Sequence, residues 1–293
     1  MSDERPTVRP VTLARLVEVA HLCGSGEKST EDIEERLDVS HRRARSAILE
    51  AARIALIEAS NDDRYESTAV GDSFVEEVQA ENWTRVSSIL ETRSPHYGAF
   101  IDVVRAEGPI TLEDALGSLE DEAEFTPYTY NQASVEVLGD WAGRLGVVQR
   151  NAFTGEYYVT NSDNIPDNFE YALLQVYDDL EETAGVGMRQ RYLSIPEVRE
   201  ELCGRLGATR DAFDTALDAL AQQNVGKLEL SGAPVDTGAK EASYGIKSMS
   251  LSGDDGLVST SQSTERVMAG IEQFGKQYYY LTVHDRNLTY TKP

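Results

Sequence analysis

The sequence predicts a mainly α-helical chain with small β-hairpins, an α+β protein assembled from three successive modules of one design. Three observations predict it. A hydroxyl-x-x-acid helix start recurs at Ser29–Asp32, Thr111–Asp114 and Ser194–Glu197, spaced 82 and 83 positions apart. Each start follows an amphipathic helical stretch and precedes a longer one. Each module then reaches a pair of strand-like segments. A hydroxyl that accepts orphan amides, with an acid three residues on, marks a helix N-terminus, and recurrence of the whole order marks a repeat.

The first module opens on Val11 to Leu22, apolar at helical spacing, and breaks at Gly24-Ser25-Gly26. The capping box at Ser29 starts a short helix to about Leu37. Ser40 stands where a second cap belongs, starting a helix over roughly 41–54. Leu56 to Ser60, a polar turn ending at Arg64, and Tyr65 to Thr68 read as strand, turn and strand.

The second module places helices at about 97–106, after Thr111, and at 131–145, then a hairpin from Gly146–Arg150 and Glu156–Val159 around Thr154-Gly155. In the third, Phe169 to Thr183 leads, Ser194 starts the short helix, and 209–223 forms the long one. Its first strand is Gly226–Leu230, and the return is expected at Gln277–Val283 after a Gly/Ser-rich insertion of about 231–264. The expected boundaries are therefore module one at 1–70, connecting helices at 71–96 and module two at 97–160. A linker at 161–168 and module three at 169–293 follow.

Helix, short helix, turn, longer helix and hairpin is the order that resembles the winged helix-turn-helix superfamily, a generic motif that singles out no one family. The resemblance implies three tandem winged-helix-type domains. It also implies that the third helix of a module enters the major groove of double-stranded DNA while the hairpin touches backbone or minor groove.

Charge selects among the modules. The formal net charge is −24, and lysine is scarce, six against 21 arginines. An acidic surface repels phosphate. Abundant Asp/Glu with little Lys also resembles the proteins of salt-loving microbes, in which the charge describes the solvent rather than the partner. The basic residues gather early: residues 1–64 hold ten against thirteen acids, and the remainder seventeen against thirty-eight. The N-terminal fifth is close to neutral within a strongly acidic chain.

Within that fifth, Ala44, Ala47, Ile48, Ala51 and Ala55 form a small-residue stripe on the third helix. Arg42, Ser46 and Arg53 fall opposite, with Arg43 and Arg45 to the sides, Ser40 and His41 at the entry, and Arg64 at the hairpin tip. Arginine in this setting forks onto guanine edges or holds phosphates. The competing reading is a solvated face whose arginines pair with Glu50 and its neighbours. The corresponding helices of modules two and three expose Glu136 and Asp140, and Asp211, Asp214, Asp218 and Gln222, so neither suits phosphate.

No phosphate-binding or dinucleotide glycine motif and no His-Glu-x-x-His occurs. The cysteines, Cys23 and Cys203, and the four histidines have no metal-ligand spacing. Gly185 and Gly187 read as a helix end, Glu120–Glu124 as solvated surface, and Tyr278–Tyr280 as sheet packing. No stretch has the length of a membrane span and the N-terminus has no apolar leader, so the expectation is a cytoplasmic or nucleoid-associated protein.

The reading is a non-enzymatic DNA-binding regulator without cofactor, acting through module one, with homodimer or protein-complex contacts through modules two and three. The alternative is a scaffold subunit of a DNA-handling complex. Modules two and three resemble the acidic tandem winged-helix elements that bind bridging subunits of chromosome-organising complexes, and multi-winged-helix chains also occur in anti-phage defence.

Overall fold

The computed structural model describes residues 6–61, 63–183, 192–232 and 267–293. It is mixed α and β, helices predominating, with small antiparallel sheets. Most of the expected insertion of about 231–264, and the Gly185/Gly187 helix end, lie outside the described residues. The described residues divide into two compact units, one running to Val148 and one formed by those from Gln149 onward.

The first unit begins with α1 (Leu13–Gly24), β1 (Lys28–Ser29), α2 (Thr30–Leu37), α3 (His41–Arg53), β2 (Ile57–Asn61) and β3 (Arg64–Ser67). Ser29 and Asp32 make the full reciprocal capping box at the start of α2. Asp38, in the left-handed region at φ 48°, turns the chain from α2 toward α3 within three residues. The sheet order is β1-β3-β2, antiparallel, with Ser29 opposite Arg64 and a bulge between Ala59 and Asn61. Leu13, Leu16, Val17, Ala20, Ile33, Ala44, Ile48 and Ala51 are buried and form the core here.

Two helices follow, α4 (Ala69–Gln79) and α5 (Trp83–Arg93), in the stretch expected to connect modules. They do more than connect. α4 packs on α1 and buries Phe74 and Val78. Gly71 sits so close to the end of α3 that a Cβ there would fall 1.9 Å from the Leu56 carbonyl oxygen. The order of the first six elements then recurs in outline as α6 (Pro95–Glu107), α7 (Leu112–Glu122), α8 (Gln132–Arg144) and the hairpin strands β4 (Val148–Arg150) and β5 (Tyr157–Val159).

The cores of the first two expected modules are not private to each. In the strap Thr7–Val11, every residue but Pro10 is buried. Trp141 of α8, fully buried, donates its indole N–H to the Val11 carbonyl at 2.9 Å, and Thr129 N–H reaches Pro6 O at 2.9 Å.

The second unit contains α9 (Phe169–Thr183), β6 (Leu193–Ser194), α10 (Ile195–Leu206), α11 (Arg210–Gln223), β7 (Leu228–Gly232), β8 (Ile271–Gln273) and β9 (Lys276–Val283). Strand β9 is central, paired with β6, β7 and β8. The return strand stands where expected, but β8 was not anticipated. Nor is 161–168 a free linker. Asn161 N–H donates to Gly207 O at 2.8 Å, the Asn164 amide bonds the Leu206 and Gly207 carbonyls, and Ile165 joins the core of this unit.

The hairpin residues from Gln149 onward also belong to this unit. Tyr158 lies in its core, the Gln149 amide donates to Tyr158 Oη and Ala208 O, and Asn151 donates to Glu200 O. Beside them Glu200, fully buried, takes a forked contact from Arg210 at 2.5 and 2.7 Å and accepts the Ala152 N–H at 2.8 Å.

Candidate nucleic-acid interface

Helix α3 is held by its small-residue face. Ala44, Ala47, Ile48 and Ala51 are buried against the elements that precede it, while Ala55 lies past its end with φ 59°. Ser40 occupies the N-cap position but its hydroxyl makes no capping bond, and no acid stands in the first turn. The Arg43 N–H turns back to the Ser40 carbonyl at 2.8 Å, so among the described residues it is the amides of His41 and Arg42 that face solvent or an anion, in contrast to α2, where Glu31 and Asp32 occupy the first turn.

His41, Arg42, Arg43 and Arg45 are exposed, and Ser46 is half-buried with its hydroxyl donating to the Arg42 carbonyl at 2.9 Å. His41 Nδ1 lies 3.0 Å from Glu34 of α2. Arg42, Arg43 and Arg45 form no ion pair among the described residues, whereas Arg9, Arg15, Arg53, Arg85, Arg105, Arg144, Arg199, Arg205, Arg210 and Arg286 all do. Pairing with Glu50, the competing reading, does not occur for these three because Glu50 points inward and is fully buried. Arg36, exposed in the last turn of α2 and likewise outside any ion pair, is a further cation that the sequence reading overlooked.

Arg53 does not face outward as expected. Its guanidinium pairs with Glu50 and sits 3.1 Å from His96 Nδ1. Glu50 also accepts the Arg9 backbone N–H at 3.2 Å. Arginine only donates, so His96 carries its proton on Nε2, which donates to the Pro6 carbonyl at 2.8 Å. The end of α3 is thereby fastened to the N-terminal strap and to the first turn of α6, and Arg53 is unavailable to a ligand.

Burial, and after it the Arg53 charge, push the His96 pKa down from the ordinary 6.5 to about 4. The unfolded chain therefore takes up this proton first. Stability from His96 is complete above about pH 6.5 and is lost as pH falls toward 4, by up to about 3 kcal/mol. Chemical denaturation across that range should show the slope, and a His96→Gln variant should flatten it.

Arg64 borders the hairpin turn. It is exposed but is the first residue of the central strand, paired in register with Ser29 and Asn61, and only two residues separate β2 from β3. The turn is tied down by Asp63, which accepts the Thr30 hydroxyl at 2.6 Å. Arg64 helps to hold the Asp32 carboxyl below its usual range, after the larger effects of the Ser29 N–H and hydroxyl. A hairpin this short and acidic reaches less far than a long wing.

Neither counterpart of α3 shows a similar face. α8 exposes Glu136, with Asp140 bonded to Arg144 at 2.8 Å. α11 exposes Asp211, but Asp214 is drawn in to the buried Arg199 at 2.7 Å and Asp218 to Gln273. Large apolar side chains are instead exposed in these regions, Phe125 at 92% and Phe274 at 86%. Tyr278, Tyr279 and Tyr280 are half-buried in β9, as sheet packing requires.

Among the described residues no group of three or more His, Cys, Asp or Glu side chains is placed to hold a metal ion, and no helix is long and apolar enough to cross a membrane. In comparisons with known proteins, no family model matches the chain, and no curated protein matches it.

Proposed function

We propose that the chain is a tandem winged-helix protein that binds double-stranded DNA through α3, as a non-catalytic regulator or DNA-associated factor. One observation carries the reading: three exposed arginines that form no ion pair among the described residues stand on the outer side of the helix that follows a tight helix–turn, in a protein of net charge −24. Arg42, Arg43 and Arg45 supply the cations, and the uncapped start of α3 at Ser40 and His41 adds amides suited to a phosphate. Arg64 and Arg36 contribute field rather than base contacts, and Arg53 contributes position.

Enrichment of genomic fragments by the purified protein at the host's own salt tests this. Recovered fragments that share a site, bound with an affinity that falls as salt rises, support it.

The negative charge elsewhere is read as adaptation to a salt-rich cytosol. Raising KCl from about 0.1 M to about 1 M shortens the screening length from about 10 Å to about 3 Å and relieves repulsion among carboxylates. Circular dichroism melts should therefore move to higher temperature with KCl. A melting temperature independent of salt would remove the ground for discounting the charge.

A second reading rests on a different observation. Exposed Phe125 is flanked by exposed Glu120, Asp121, Glu122 and Glu124, which suits a scaffold role in a DNA-handling complex of chromosome organisation or defence. A pull-down from the host separates the two: a stoichiometric ATPase or nuclease partner favours the scaffold, and DNA with the lone chain favours the regulator.

A further inference from the structure

Phe274 carries two unfavourable features at once. It is 86% exposed, and its φ of 52° lies in the left-handed region, followed by Gly275 at 71°. Both residues of a tight two-residue hairpin turn need this conformation, and asparagine and glycine suit it while a side chain like that of phenylalanine is strained. Strain and an exposed aromatic at one residue point to a role outside the fold.

The tip is braced rather than loose. Arg199, 2% exposed, donates to the carbonyls of Val267 at 3.0 Å, Ala269 at 3.0 Å and Gly270 at 3.3 Å. Gly270 is pressed against β9 so closely that a Cβ would lie 1.7 Å from the Tyr278 carbonyl oxygen. Gln273 donates to Asp218 of α11, and Ile271, Glu272 and Gln273 pair with Tyr278, Gln277 and Lys276. An aromatic anchor held this firmly loses little freedom on binding.

We propose that the β8–β9 hairpin is a docking knob whose Phe274 seats in an apolar socket of a partner protein with a cationic rim. The charges select that occupant. Glu272 is exposed on the hairpin, and α11, which packs against β8, exposes Asp211, while half-buried Asp218 is engaged by Gln273 and Gln222. A phosphate-bearing ligand would meet these carboxylates with only Lys276 on the hairpin to offset them, whereas lysine or arginine at a protein socket would complement them. The inference concerns the second unit alone, goes beyond the DNA reading of α3, and fails or stands separately from it.

The test uses the full chain with a benzophenone side chain at position 274, cross-linked in the host. The protein captured there is identified, purified and titrated against the unmodified chain and Phe274→Asn. Asparagine suits the turn, so the variant should melt at the same or a higher temperature. Its affinity for the captured protein should fall by about tenfold to a hundredfold, the range expected for removing one buried phenylalanine. Glu272→Lys should weaken the same complex. The proposal is overturned if the cross-links go to nucleic acid, lipid or nothing, if the captured protein binds Phe274→Asn equally well, or if Phe274→Asn lowers the melting temperature.

Discussion

Replacing Arg210 with alanine should destabilise the second unit by about 3–5 kcal/mol, the cost of leaving a buried carboxylate without its counter-ion. Glu200 is fully buried and Arg210 only 4% exposed, so water cannot take the place of the lost guanidinium. The same residue donates to the Arg150 carbonyl at 2.8 Å, which would also lose its partner. At about 2–4 °C per kcal/mol for a unit of this size, the melting temperature should drop by roughly 10 °C.

The double variant Arg210→Met/Glu200→Leu removes both charges and should recover part of the loss. Full recovery is not expected, because the Ala152 N–H and the Arg150 carbonyl would remain without the bonds they now make. A double-mutant cycle by chemical denaturation checks both numbers. If Arg210→Ala costs under 1 kcal/mol, the pair is not the clamp described.

Local features were legible in the sequence and long-range ones were not. The starts of α2, α7 and α10 followed from short-range chemistry, a hydroxyl accepting an amide three residues on. The inward stripe of α3 followed from spacing alone. Arg53 was misread because a helical projection distinguishes one buried face from one exposed face, whereas the end of α3 is also covered by the strap and α6. Its partner His96 lies 43 positions away in sequence. Asp214 was misread for the same reason, its partner Arg199 arriving from a different helix.

Segment 161–168 is rich in asparagine and aspartate and has the composition of a linker. The Asn164 side chain instead bonds the Leu206 and Gly207 carbonyls, 42 and 43 positions on, and the Asn161 N–H bonds Gly207 O as well. Strand β8 is three residues long, too short for an alternating pattern to register.

The triple variant Arg42→Ala/Arg43→Ala/Arg45→Ala should lose specific DNA binding while keeping its fold. None of the three is buried and none forms an ion pair among the described residues, so their removal leaves no orphaned partner in the core. Alanine is the best helix former, so a weakened α3 cannot account for the loss. Each base-edge contact removed should cost about 1–3 kcal/mol, and each phosphate contact should lower the slope of affinity against salt. Three together amount to about 3–9 kcal/mol, comparable with the roughly 4–10 kcal/mol that commonly separates specific from non-specific binding.

The comparison variant, Asp211→Asn/Asp214→Asn/Asp218→Asn, removes three charges from the second unit. It should leave DNA affinity unchanged, although loss of the Asp214 contact to Arg199 should lower stability modestly.

Fluorescence anisotropy on a genomic fragment enriched by the unmodified protein, at the host's salt, tests the central claim most directly. The account predicts saturable binding by the unmodified chain and by the aspartate variant, and background signal for the triple-arginine variant with an unchanged circular dichroism spectrum. Enrichment of no DNA by the unmodified chain, or equal binding by the triple-arginine variant, would contradict it.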